Sequence, residues 1–277
     1  PQLISLGSVL PDIVDDVEID GYSQPGASAN TATNGSDAEL CVVLLAQSGT
    51  LAQALQVPAA APASTSLTLK GIAVAGTTGF NGNFSVGLRL RGGADHIIQG
   101  NAFGGTGPGS IGDLGTLPFG IQIRDSAQHA LIGGPDPEHR NTIGGTSSSA
   151  IVLNDATSSG HTLQNNYIGL SASGISAEPI GLNGIFASNS PTIQILDNVI
   201  AAVANSPAIA IQGATATGYT IRGNRLGVNA FGIPTPAFRN QVGIQFADAT
   251  HDHIIGSNNG SVSSNQIINS DDAGVWI

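Results

Sequence analysis

The chain has 277 residues, 40% of them hydrophobic, with a mean hydropathy of +0.15, 10% charged residues and a single lysine. This composition excludes a disordered chain of low hydrophobicity, and 38 glycines punctuating runs of Ile, Leu and Val point to an all-β protein. A net charge of −11 excludes general nucleic-acid binding, which needs clustered Lys and Arg, and argues against docking on an anionic membrane.

The N-terminal third is irregular. Val17-Glu18-Ile19-Asp20-Gly21 reads as a strand entering a turn, and a polar excursion follows from Tyr22 to Asp37. A strand is expected from Leu40 to Leu45, an Ala/Pro-rich loop from Gln47 to Pro62 and a strand from Leu67 to Val74. Cys41, alone in the chain and set among Leu40, Val42, Val43 and Leu44, makes no internal disulfide and is expected in the core. There is no apolar run long enough to span a bilayer.

From residue 81 a repeat takes over. A Gly/Ala-apolar-x-apolar motif begins at Gly87, Gly120, Ala150, Gly184, Ala208, Gly243 and Gly274, separated by 33, 30, 34, 24, 35 and 31 residues. An Asn-x-apolar motif interleaves with it at Asn101, Asn141, Asn166, Asn198, Asn224 and Asn265. A third strand lies between the two, as in His96-Ile97-Ile98, Thr162-Leu163 and Thr220-Ile221. No hairpin signal pairs neighbouring strands, so each strand must bond to its equivalent one repeat away. The result is a right-handed parallel β-helix, a solenoid of three short strands per coil, whose rival is a two-layer sandwich that would not predict this register. The Asn is expected to form a side-chain ladder at a turn where left-handed backbone is tolerated, and the Gly before the first strand to make a sharp corner. A loop with Gly eight residues after the Asn recurs at Asn101, Asn166 and Asn224. The whole of 1–277 is expected to be one β-helix domain, irregular over 1–80 and regular over 81–277. Having no Met and beginning and ending inside repeat-like segments, it is expected to be a piece of a longer protein with flanking domains.

The succession Ile19-Asp20-Gly21-Tyr22-Ser23-Gln24-Pro25-Gly26, Leu67-Thr68-Leu69-Lys70-Gly71-Ile72, the Asn-x-Ile-Gly loops and Ile132-Gly133-Gly134 resembles right-handed β-helix repeat regions of large bacterial secreted or cell-surface proteins. The resemblance spans essentially the whole chain. It implies an adhesin-like or matrix-like extracellular role, with polysaccharide-degrading enzymes as structural cousins.

Few residues offer chemistry. The side chain between the two apolar positions of the first motif points outward, giving the column Arg89, Gln122, Val152, Phe186, Ala210, Gln245, Trp276. Arg89, Arg91, Gln122 and Arg124 then form a candidate ligand-binding face, its stacked charges neutralised by an anionic sugar or by Asp95, Asp125 and loop acids. His96, His129, His161, Tyr219 and His253 are read as one coil position, either a ladder of turn-filling rings or a metal-binding stack. His251 and His253 are the best local metal candidates, though two ligands are too few for a stable site, so no metal is expected. Asp271 and Asp272, read in the turn before the last strand, are the catalytic candidates, because paired carboxyls can act as acid and base in glycoside hydrolysis. The other motifs of polygalacturonase-like β-helices do not accompany them, and a lyase would have only Lys70 or the arginines to abstract a proton. Gly107-Pro108-Gly109-Ser110-Ile111-Gly112 matches a phosphate-loop pattern in letters only, since no helix follows. No cofactor is expected.

The expected function is a non-catalytic extracellular or cell-surface solenoid acting as adhesin, spacer or binding platform for a polysaccharide or a host or neighbouring cell. The alternatives are a carbohydrate-active or polysaccharide-binding protein using the arginine face, and a phage tail component.

Overall fold

The computed structural model describes residues 1–47, 49–76, 82–248, 251–256 and 264–277. The 80/81 boundary between irregular and regular coils lies outside the described residues. Three parallel sheets wrap one elongated core. The first holds Leu55–Val57, Val86–Leu90, Phe119–Ile123, Ile151–Asn154, Ile185–Ser188, Val203–Gln212, Asn240–Ala247 and Ser270–Trp276. The second runs from Val17–Asp20 through Leu67–Lys70, Ile97–Gln99, Leu131–Gly133, Thr162–Gln164, Gln194–Leu196 and Thr220–Arg222 to Ile254–Ile255. The third runs from Gln2–Leu6 and Val42–Ala46 through Ile72–Val74, Ala102–Phe103, Thr142–Ile143, Tyr167–Ile168, Val199–Ile200 and Arg225–Leu226 to Gln266–Ile267. The chain visits them in the order first, second, third, then climbs one coil. This is the right-handed parallel β-helix.

The register is the one the repeat requires. Leu88, Ile121, Ile151, Ile185, Ile209, Ile244 and Val275 are aligned partners, so all seven copies of the first motif stack in one sheet. From Leu88 to Ile244 these side chains are fully buried, each contributing about 1.5–3 kcal/mol by leaving water. The second strand supplies Ile98, Ile132, Leu163, Ile195 and Ile221 and the third Phe103, Ile143, Ile168, Ile200 and Leu226 to the same core.

The Asn ladder is continuous. Nδ2 of Asn101, Asn141, Asn166, Asn198 and Asn224 donates to Oδ1 of the next asparagine over 2.9–3.1 Å, and also to a carbonyl of the second sheet one coil below, such as Leu69 O or Ile132 O. On four coils the left-handed residue is not the Asn but the one before it, Gly100, Asn165, Asp197 and Gly223 having φ of 65, 57, 55 and 67°, whereas Arg140 before Asn141 has φ of −63°. One residue at that conformation turns the chain between sheets, and the Asn then enters the core in ordinary backbone geometry.

The Gly that opens the first motif serves packing, not a corner, since none of these glycines has positive φ. A Cβ on Gly120 would lie 2.6 Å from Ile143 Cγ2, and one on Gly243 2.4 Å from Ile267 Cγ2. The third-sheet side chain closes over this position, leaving no room for a Cβ at these glycines, and the coils that do carry one here, at Ala150 and Ala208, carry the smallest.

Four further expectations are corrected. Leu67–Val74 is two strands in two sheets, Leu67–Lys70 and Ile72–Val74, broken at Gly71 with φ of 64°. The Gln47–Pro62 segment contains the strands Gly49–Leu51 and Leu55–Val57. Cys41 is half-buried, outside the core, its Sγ 3.7 Å from Pro25 O. Of the three recurring loops, those after Asn166 and Asn224 share one turn, in which Gly174 N–H donates to Ser171 O and Gly232 N–H to Asn229 O. The loop after Asn101 is an antiparallel hairpin of Gly105–Thr106 with Asp113–Gly115.

Candidate functional site

The outward column of the first sheet is as expected: Gln56, Arg89, Gln122, Val152, Phe186, Ala210, Gln245 and Trp276 are register partners. The arginines on it are engaged within the protein. Arg89 donates through Nε to Gln122 Oε1 at 3.3 Å and through Nη1 to Gln53 Oε1 at 3.2 Å. Arg91 Nε lies 2.6 Å from Asp125 Oδ2, and Arg124 Nε approaches the same oxygen at 3.7 Å. Asp125, at φ of 55° on the corner after the first sheet, is thus shared between two guanidiniums. Arg89 receives amide oxygens only, and burial, with Arg124 and Arg91 adding repulsion, pulls its pKa below the ordinary guanidinium value. Arg89, Arg91, Gln122 and Arg124 are therefore brought together.

The histidine column needs one correction. The inward position holds Leu67, His96, Ala130, His161, Ile193, Tyr219 and His253, because Ile97, Leu131, Thr162, Gln194, Thr220 and Ile254 are aligned one residue later. His129 precedes Ala130, has φ of 52° and turns out to solvent, 3.8 Å from Asp95. The turn before it differs in length, which shifts the spacing by one. The inward rings accept backbone hydrogen bonds: His96 Nδ1 from Leu67 N–H at 3.0 Å and His161 Nδ1 from Ala130 N–H at 3.1 Å. Burial holds both imidazoles neutral, lowering the His161 pKa to about 3. They serve as polar fillers of a corner.

His251 and His253 point into different surroundings. His251 is exposed, its Nδ1 2.6 Å from Asp252 Oδ2. The His253 ring stacks on Phe246 at 4.8 Å and meets Tyr219 edge-on at 5.4 Å. Among the described residues no group of three or more His, Cys, Asp or Glu side chains is placed to hold a metal ion. Asp271 and Asp272 lie inside the strand Ser270–Trp276, not in a turn, where the pairing with Asn240 and Val242 slips by one residue. Asp271 Oδ2 faces Arg239 Nε at 3.5 Å.

The surface that sequence reasoning missed is made by the excursion after Asp20. Residues 21–41 form a strap across the third sheet and its corner with the second. At its start, the Tyr22 hydroxyl donates to Gly100 O at 2.8 Å. At its tip, Arg140 Nη1 donates to Ala32 O at 3.1 Å and Gly35 O at 2.6 Å, and Nη2 to Thr33 O at 2.8 Å. Nε and Nη2 also reach Asn165 Oδ1, and the guanidinium stands 4.4 Å over the Tyr167 ring. The Tyr167 hydroxyl accepts from Gly35 N–H at 2.9 Å. On the way back, Glu39 accepts from Ser110 N–H at 2.7 Å. The buried Arg140 charge is met by carbonyl and amide oxygens and an aromatic face, the ligand set a planar fork suits. The one signal in the sequence was Arg140 itself, standing before a ladder Asn where other coils carry Gly, Asn, Asp or Ser.

Two clefts flank the strap. One, of about 230 Å³, lies among Tyr22, Lys70, Gln99, Glu138 and His139, with Lys70 paired to Glu18 at 3.1 Å. The other, of about 500 Å³, lies under the tip, between Thr33 and Asn34 on one side and Arg140, Asn165, Asp197 and Arg225 on the other.

No protein-family model and no curated protein matches the chain. Among solved structures it is similar to the A-module of a mannuronan C-5 epimerase from Azotobacter vinelandii, at 12% identity and a TM-score of 0.34, over 95% of this chain and 87% of that one.

Proposed function

We propose that the protein is a non-catalytic, extracellular or cell-surface solenoid that acts as an adhesin-like spacer and binding platform. The observation that carries this reading is the internal use of its chemistry-bearing side chains. Arg91 and Arg124 share Asp125, Asp271 faces Arg239, and His96 and His161 serve as backbone acceptors. An acid, base or electrophile must instead be free to meet a substrate. Low charge density, one lysine and a surface of Ser, Thr, Asn and Gln agree with an extracellular setting, as does the net repulsive charge. Partners are expected to be polysaccharides or the surface of a host or neighbouring cell.

A second reading, polysaccharide binding or processing at the arginine face, is favoured by one feature: among the described residues Arg89 has amide partners and no carboxylate within ion-pair distance. A glycan array with the parent chain, Arg89→Ala and Arg124→Ala separates the two. The platform reading expects no saccharide release from any glycan and no array signal abolished by both substitutions. Release abolished by Arg89→Ala would establish the second reading.

A further inference from the structure

We infer that the cleft under the strap tip is a binding site for an acidic saccharide, with Arg225 as the residue that receives its carboxylate or sulfate. The inference rests on the platform reading and adds to it a site and a ligand class.

The floor of this cleft is one coil position repeated. Arg140, Asn165, Asp197 and Gly223 each immediately precede a ladder asparagine, so they follow one another on four successive coils. At about 4.8 Å per coil the floor extends about 14 Å along the solenoid axis. It therefore suits an extended polymer lying parallel to that axis, and its volume of about 500 Å³ falls within the range of about 300–1,000 Å³ typical of small-molecule sites. The neighbouring cleft beside Tyr22 is half that size and its only lysine is already paired.

The charges divide the labour. Arg140 has every N–H direction occupied by Ala32, Thr33, Gly35 and Asn165, so it holds the wall and has nothing left to donate. Arg225 is half-buried, and among the described residues its side chain makes one hydrogen bond, from Nη1 to Ala230 O at 2.8 Å, and enters no ion pair. Arg225 lines the cleft with donors to spare, and a guanidinium fork matches a carboxylate or sulfate. Asp197, exposed at the floor, accepts from Gln164 through Oδ2 and keeps acceptor capacity for sugar hydroxyls. Thr33 and Asn34 add hydroxyl and amide groups from the strap, and Pro135 and Pro137 an apolar edge for the less polar face of a ring. The lining carries two guanidiniums against one carboxylate in a chain of net charge −11. A positive spot on an acidic protein selects an anionic ligand by local, not overall, charge.

The test is calorimetric titration of the folded chain with a galacturonate tetrasaccharide and with the neutral glucose tetrasaccharide of cellulose. The acidic probe should bind, lose affinity as salt rises, and weaken at least about tenfold in Arg225→Gln. Arg89→Gln should leave it unchanged. Asn34→Trp, at the exposed strap tip, fills the cleft while leaving every coil residue in place and should give the same loss, which guards against misfolding of the arginine variant. Equal binding of the neutral probe, no binding of the acidic probe, or wild-type affinity in Arg225→Gln or Asn34→Trp overturns the assignment. Binding lost in Arg89→Gln but kept in Arg225→Gln overturns it and favours the arginine-face reading instead. Cleavage of the probe by a chain whose binding depends on Arg225 overturns the platform reading and leaves the site.

Discussion

Asn166 donates through Nδ2 to Oδ1 of Asn198 at 3.0 Å while its own Oδ1 accepts from Asn141 at 2.9 Å, so each rung of the ladder binds the coil on either side. Asn166→Ala removes these two bonds and the one to Ile132 O, leaving several buried polar groups unpaired. The expected loss is about 2–4 kcal/mol in urea unfolding. Asn166→Asp, which places a charge with no counter-ion in the core, should cost more. An unchanged midpoint in either variant would show that the ladder does not hold the coils together.

Gly184 tests the packing account of the motif glycines. An added Cβ would stand 2.6 Å from both Ala208 O and Ile200 Cγ2. Gly184→Ala should therefore destabilise the chain by about 1–3 kcal/mol despite its normal backbone. Ala208→Gly at the next coil should cost about 0.5–1 kcal/mol. If the two substitutions cost the same, crowding by the third-sheet side chain is not the reason for the small residue.

The strap depends on a fork that lysine does not have. Arg140→Lys keeps the charge but cannot reach Ala32, Thr33, Gly35 and Asn165 together. Amide hydrogen exchange should accelerate over residues 30–37 by a factor of about ten or more, while the ladder stays protected. Uniform exchange across the chain would mean that Arg140 supports the coil and not the strap.

Acid should destabilise the fold through its buried imidazoles. His161 has an ordinary pKa of 6.5, and burial first, then His129 and His96, lower it to about 3 in the folded state. Between those values the unfolded chain holds the extra proton. Stability present above about pH 6.5 is therefore lost as pH falls and levels off near pH 3, at a rate of up to about 1.4 kcal/mol per unit. His161→Gln, with a side-chain oxygen able to accept from Ala130 N–H, should flatten the dependence of Tm on pH between 6.5 and 4. Parallel curves for the two proteins would contradict this.

What repeats was legible, and what occurs once was not. Leu88, Ile121 and Ile151 could be aligned from spacing alone because a solenoid returns the same residue type to the same place in space. The Asn ladder was legible for the same reason. His129 was misplaced because corners differ in length, and one residue moves a side chain from the core to solvent. Leu55–Val57 escaped although Ala54-Leu55-Gln56-Val57 carries the motif in register with Gly87-Leu88-Arg89-Leu90, because it lies inside an Ala/Pro-rich stretch that reads as loop. The excursion from Tyr22 to Asp37 was legible as a loop, but not its docking: Arg140 meets residues 105 to 108 positions away in the sequence, a contact that no local period announces. The arginine face was legible as a column and Asp125 as a neutralising partner, but that this one carboxylate serves both Arg91 and Arg124 while Asp95 faces His129 depends on corner geometry that spacing does not reveal.

The central claim, a platform that holds an acidic saccharide without altering it, is tested most directly by light scattering on a size-exclusion column. A polygalacturonate of known molar mass is run before and after long incubation with the protein. The account predicts co-elution of protein with polymer, at an unchanged polymer mass once the protein is stripped by salt. A falling polymer mass would contradict the non-catalytic role, and elution of all the protein as free chain would contradict the acidic-saccharide site.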